Sequence, residues 1–341
     1  MNDLKKLLSV FLILAMLSAL AGCASSAPSG ETEPGKTGPV SGDALSGDPS
    51  LAVTELTALV KAAAAPSPLS SGDRAFRSVG DLGKNLLLAA EGKNPVISPL
   101  SAYIALSMAA AGARGGTADE FASLLGGDAE TAKRAVAALI KELADGCDEG
   151  NVYSAANSVW VDHRAEILKS YLEALASGYG AEAFAASLPS TDAMKAVNDW
   201  VDGKTKGLIP ELLSEPLSAE TDLVLINTLY MKAKWASPFQ ADDTCDGEFT
   251  AESGRTARVP FMHSHGQTAY LEGDNFRGVV LPYRNGTTEF IALKPEGVGA
   301  RELLKSLDGE AIAALAGKAS SRAVNLSLPK IDADFTMDMT D

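Results

Sequence analysis

The sequence predicts an α+β fold, in which N-terminal helices pack on large mixed or antiparallel β-sheets. Three observations carry this. The first half reads as helices, the middle as strands mixed with helices, and the last third as mostly short strands. No regular strand–helix–strand alternation and no internal repeat organises the chain. One stretch, Leu223 to Met231, is apolar except for Asn227 and Thr228. A half-exposed strand would alternate, so this run reads as a strand covered on both faces. Asn227 then sits in the interior, where a buried amide without partners costs about 1–3 kcal/mol. Some other segment must come to meet it.

Before the fold comes a leader. Lys5 and Lys6 precede an apolar run from Leu7 to Leu20, interrupted by Ser9 and Ser18. The run is short for a membrane span and has the layout of a secretory signal. It ends Leu20-Ala21-Gly22-Cys23, which resembles a bacterial lipobox. That resemblance implies cleavage before Cys23 and lipidation of its sulfur. The expected organisation is therefore a signal peptide over 1–22, a lipid-anchored flexible tether over 23–70 and a folded domain over 71–341. The expected location is extracytoplasmic, anchored to the cell envelope or exposed at the cell surface.

Ala24 to Pro49 is rich in Ser, Gly, Pro and Thr and offers almost no large apolar residue to bury. Gly30 to Thr37 fits the G-x-x-x-x-G-K-[ST] pattern of phosphate loops. That loop works only between a strand and a helix, and here Pro34 and Pro39 intrude. Leu51 to Ala65 reads as a short helix stopped by Pro66 and Pro68. Asp73 to Ala90 has helical spacing at Phe76, Val79, Leu82, Leu86 and Leu87. Ser98-Pro99 is a helix entry, Ser as cap and Pro at the first helical position. The helix that follows is apolar nearly all round and predicts burial. Gly112 ends it. Ala113 to Thr117 reads as a turn, and Thr117 to Glu120 has capping-box spacing for a helix to Leu125.

Asp128 to Ala144 is a further amphipathic helix. Asn151 to Asp162 reads as a strand, Glu166 to Ser177 as a helix and Tyr179 to Ala185 as a short strand. Ser190 to Lys206 is a helix capped by Ser190, Thr191 or Asp192 and stopped by Gly207. The covered strand follows and ends at Lys232, Lys234, Trp235 and Ser237-Pro238. Short strands are predicted at 248–250, 256–262, 267–271, 277–281 and 288–293, with a turn at Asn285-Gly286. Arg301 to Leu315 is helical, and Ala323 to Leu328 alternates into Pro329-Lys330.

Charge and side-chain inventory exclude several classes. The net charge is −15, which argues against nucleic-acid backbones as partners. A hydrolase needs a nucleophile, a base and an orienting acid. The chain has three histidines, His163, His263 and His265, and no G-x-S-x-G elbow. Ser327 to Lys330 has S-x-x-K spacing, but Pro329 lies inside it and the motif needs a helix. No catalytic residue, metal or cofactor is expected. His263-Ser264-His265 offers two imidazoles on one strand face, with Cys245 or Asp residues as further metal donors. The alternative, an exposed strand end near a loop, is the favoured reading. Cys147 and Cys245 either pair as a disulfide in an oxidising envelope or stay as two free thiols.

Several motifs in sequence resemble the serpins, the superfamily named for inhibiting serine proteases. They are Asn94-Pro95-Val96-Ile97-Ser98-Pro99-Leu100-Ser101 with Gly112 to Thr117, Asn198-Asp199-Trp200-Val201 with Gly207, and Leu223 to Tyr230 with Trp235 and Pro238-Phe239. Val279 to Tyr283 and Leu326 to Lys330 match later strands. The resemblance covers roughly 73–341. It implies that Ser98, Ser101 and Asn227 share a buried polar cluster where the central strands part, the shutter. It implies that Trp235 lies at the top of the same strand, in the breach. All four are structural. It also implies a monomer that traps a serine or cysteine protease: an exposed loop is cleaved and inserts as a strand into the main sheet. Leu328-Pro329-Lys330 is followed by only eleven residues. By the family pattern the next main-sheet strand, the loop and its reactive bond are then absent, and the expectation is a C-terminally truncated form. A non-inhibitory, serpin-like surface binding protein or an inactive fragment is the alternative.

Overall fold

A computed structural model describes residues 12–17, 44–45, 51–60, 74–91 and 94–338. Cys23 and the phosphate-loop pattern at Gly30 to Thr37 lie outside the described residues.

The first sheet is mixed. Its strands are β1 (Leu12–Leu17), β3 (Val53–Glu55), β4 (Val152–Asp162), β6 (Glu182–Ala186) and β7 (Thr221–Lys232), in the order β1-β7-β4-β6-β3. A two-stranded pairing of β2 (Ala44–Leu45) with β5 (Ile167–Leu168) stands apart. β4 and β6 run parallel, and the other pairs are antiparallel. The second sheet is antiparallel throughout, with β8 (Cys245–Thr250), β9 (Thr256–Gly273), β10 (Phe276–Pro282), β11 (Glu289–Pro295) and β12 (Ser320–Pro329).

Eight α-helices are described: α1 (Arg74–Ala89), α2 (Pro99–Gly112), α3 (Gly115–Leu125), α4 (Ala129–Asp145), α5 (Lys169–Tyr179), α6 (Thr191–Lys204), α7 (Ala300–Ser306) and α8 (Gly309–Ala313). The α2 helix carries the main core. Tyr103, Ile104, Ala105 and Met108 are fully buried, together with Leu125, Leu172, Leu175, Val159 and Leu225. The expected cap holds: the Ser101 N–H donates to Ser98 Oγ at 3.2 Å, with Pro99 opening the helix. A second core lies on the opposite face of the same sheet, where Trp160, Val224 and Ile226 meet Val197 and Val201 of α6. β7 is therefore covered on both faces, as its unbroken apolar run requires.

Several local expectations are corrected. Residues 53–55 form a strand against β6, not a helix, and Leu56 is buried behind it. The packed body thus reaches back upstream of residue 71. α3 starts at Gly115, with Arg114 as its cap and no side-chain capping bond, so the box at Thr117 does not open it. Ile167 and Leu168 pair with β2 before α5 begins. The predicted strands at 256–262 and 267–271 are one strand, β9, which runs through Gly266 at φ +136°. Without a Cβ, glycine keeps the strand continuous at an angle other residues avoid. The helix expected over 301–315 breaks after Ser306, where Asp308 caps α8 by accepting from the Ala311 N–H at 2.7 Å.

Candidate functional site at the edge of the first sheet

β7 has one flank on β4 and the other on β1. On the first flank Asn227 lies opposite Asn157. The Asn227 Nδ2 donates to Asn157 Oδ1 at 2.7 Å, and the Asn157 Nδ2 donates to the Tyr179 carbonyl at 2.7 Å. Tyr179 then reaches α2: its hydroxyl donates to the Ser107 carbonyl at 3.0 Å and lies 2.7 Å from Ser107 Oγ. Burial pushes the Tyr179 phenol well above its ordinary pKa, and the Ser107 hydrogen bond offsets only part of this. The hydrogen-bond partner of Asn227 is thus in β4, and α2 joins the network through Ser107 and Tyr179. Asn157 was missed in the sequence, although it sits in a covered strand as Asn227 does.

Ser98 is occupied at the helix start. Ser101 is 1% exposed and Asn227 0%. Among the described residues, Ser101 Oγ and Asn227 Oδ1 are both without a hydrogen-bond partner. Leaving such atoms unpaired costs about 1–3 kcal/mol each. Asn227 Oδ1 is the unfinished acceptor of the network that runs through Asn157 and Tyr179.

On the other flank, β1 pairs antiparallel with β7, placing Leu12 opposite Asn227 and Leu17 opposite Thr221. A six-residue apolar segment is thus accepted along that edge. The backbone of β7 offers a full ladder there, and an antiparallel strand of apolar residues matches it.

At its far end β7 is tied to the second sheet. Trp235 bridges to Tyr283 and stacks on its ring at 4.8 Å, with Phe290 and Phe239 edge-on at 5.5 and 6.0 Å. The Lys234 N–H donates to Asn151 Oδ1 at 2.8 Å, and the Ala236 N–H donates to the Pro282 carbonyl at 2.9 Å. Trp235 therefore clamps the strand end where the two sheets meet. These groups are polar buttresses and aromatic packing. Nucleophile, base and acid are not brought together here.

The remaining sequence candidates lie elsewhere. His263 and His265 are mid-strand in β9, not at a strand end, because β9 is continuous. His265 Nδ1 pairs with Asn325 Oδ1 at 3.0 Å, and His263 turns to Cys245 and Ser327. Among the described residues no group of three or more His, Cys, Asp or Glu side chains is placed to hold a metal. Cys147 and Cys245 are both free and exposed.

Comparison with known proteins extends these observations. A family model described as serpin (serine protease inhibitor) matches residues 79–341. A protein named serine protease inhibitor from Cyanea capillata is 31% identical over 269 residues, covering 75% of this chain and 71% of that one. Serpin-Z2A of Oryza sativa subsp. japonica is 39% identical over 204 residues, covering 57% of this chain. The matched part spans 47% of Serpin-Z2A, about half its length. The native-state crystal structure of tengpin, a thermophilic serpin, superposes with a TM-score of 0.75 at 27% identity, covering 82% of this chain and 73% of that one.

Proposed function

The chain belongs to the serpin family, and from that premise we propose that it is the body of a suicide-substrate inhibitor of a serine or cysteine protease. One observation carries the reading: the outer edge of β7 accepts an antiparallel strand, with Asn227 at the middle of the acceptor. Strand insertion into a serpin sheet is an established mode of strand addition. Cleavage of an exposed loop by the target protease would free such a strand, and insertion would form backbone hydrogen bonds along β7. The two unpartnered buried atoms, Ser101 Oγ and Asn227 Oδ1, support an incoming strand that carries a hydrogen-bond donor opposite Asn227. β1 brings Leu12 to that position, which has no side-chain donor.

The leader fits this reading. Leu12–Leu17 falls in the stretch read as a secretory signal. Its removal before Cys23 would vacate the edge, and lipidation of Cys23 would tether the domain to the membrane at the cell envelope. The protein acts as an inhibitor, not as an enzyme, and its function calls for no cofactor and no nucleic acid.

The test uses the full-length protein. It is incubated with serine and cysteine proteases of differing specificity and run on a denaturing gel. A detergent-stable complex at the summed mass, with stoichiometric loss of protease activity, is the expected result. Cleavage of the chain without a complex would favour the non-inhibitory binding reading instead. Anchoring is tested separately by fractionation, where Cys23→Ala is expected to move the protein from membranes to the soluble fraction.

A further inference from the structure

The second sheet holds a cluster that the strand-insertion reading does not use. Cys245 on β8, His263 on β9 and Ser327 on β12 lie in a row across three hydrogen-bonded strands. Cys245 pairs with Phe261, two residues from His263 on the same face, and His263 pairs directly with Ser327. Cys245 Sγ is 3.4 Å from His263 Nε2, and Ser327 Oγ is 2.9 Å from His263 Nδ1. His263 thus has a thiol in reach of one ring nitrogen and a hydroxyl that orients it on the other, the general arrangement of an activated nucleophile.

The register explains why the sulfur stays open. Phe261 would be the natural cover for Cys245, its cross-strand neighbour. Its ring lies instead over Gly247, where an added Cβ would stand 2.8 Å from Phe261 Cδ2. The glycine lets the ring lean away, and Cys245 remains exposed. The chemistry is equally specific. If His263 takes the thiol proton, both ring nitrogens become donors. Each then has an acceptor, the thiolate on Nε2 and the Ser327 hydroxyl oxygen on Nδ1. Cys147 provides an internal contrast. Its sulfur faces the carbonyls of Leu143 and Tyr153 at 3.6 and 3.4 Å, with the Tyr153 N–H at 3.3 Å. These neighbours are backbone groups, and none of them is a base.

We propose that Cys245 is a covalent modification site, at which the His263-paired thiol exchanges with small-molecule disulfides. His263 Nε2 accepts the thiol proton. The Cys245 thiolate attacks one sulfur of the disulfide, the old sulfur–sulfur bond breaks, and a mixed disulfide forms at Cys245. The departing thiolate takes the proton from His263 and leaves as a free thiol. The disulfide is itself the oxidant. Only the thiolate is nucleophilic, so the partnered thiol reacts faster.

The test incubates the full chain with oxidised glutathione and times adduct formation at Cys245 and Cys147 by peptide mass mapping. Cys245 is expected to react about tenfold faster than Cys147. His263→Ala is expected to remove this advantage, leave the Cys147 rate unchanged and keep the unfolding midpoint, and added imidazole is expected to restore it. Ser327→Ala should give an intermediate rate. Equal rates at the two thiols would overturn the proposal. So would a Cys245 rate untouched by His263→Ala, or a loss that imidazole does not restore.

Discussion

At the scale of single residues, the buried polar groups make the sharpest statements. Asn227 is tied to Asn157, and Asn157 to the Tyr179 carbonyl. Removing Asn227 leaves Asn157 Oδ1 buried and unpaired, and removing Asn157 does the same to Asn227 Nδ2. Asn227→Ala is therefore expected to destabilise the domain by about 1–3 kcal/mol in chemical denaturation. In the double variant with Asn157→Ala, the loss should be less than the sum of the two single losses, because the two amides share one bond. Strict additivity would show that they are not coupled. Asp162 makes a different prediction. Burial pushes its carboxyl up, but the Arg164 side chain and the backbone N–H groups of Arg164 and Leu188 outweigh this and hold it below the ordinary value. A depressed carboxylate stabilises the fold above its unfolded pKa, near ~3.9. That contribution is lost as the pH falls through the lower folded value. Asp162→Asn should therefore flatten the acid limb of stability against pH, read as the unfolding midpoint between mildly acidic and strongly acidic buffer.

At the scale of elements, two helical glycines separate propensity from packing. Gly83 of α1 faces α2, and an added Cβ would stand 2.4 Å from Pro99 Cγ. The proline ring has little room to yield, since it opens a helix that is buried nearly all round. Gly203 of α6 has nothing within 4 Å of such a Cβ. Helix propensity alone would favour alanine at both by about 0.5–1 kcal/mol. The expected outcome is opposite signs. Gly203→Ala raises stability by about that amount, whereas Gly83→Ala lowers it by about 1–3 kcal/mol through overpacking. Thermal unfolding of the two variants side by side decides it.

At the scale of the whole molecule, the first sheet is buttressed on both faces, and the outer edge of β7 takes a single short strand. That edge is paired with a segment from the chain's own N-terminus, which the leader reading removes. A long unpaired apolar strand edge is a template for other chains. The described chain lacking residues 1–22 is therefore expected to self-associate on mild heating, seen as a ladder on a native gel, more readily than the chain that keeps them. If the two behave alike, β1 does not protect the edge. The tie at Trp235 sets the other end of the same strand, so the two sheets respond together when the edge is filled.

Much of this was legible in the residues themselves. The unbroken apolar run from Leu223 to Met231 required a strand covered on both faces. Ser98-Pro99 marked a helix start, and the near-uniform apolarity of 99–112 required its burial. These signals are local: period, cap chemistry and composition act within a few residues, and a strand or helix has to obey them wherever it sits. The order of the motifs also carried the family. What tertiary structure alone decided are relations between segments distant in sequence. That Asn227 hydrogen-bonds to Asn157 depends on the register of β4 on β7. That Val53 to Glu55 is a strand depends on the free edge of β6, which overrides a weak helical pattern. That Cys245, His263 and Ser327 stand in one row depends on three strands from separate parts of the chain. Register is set by the pairing of whole strands, and a shift of one residue would turn each of these side chains to the opposite face.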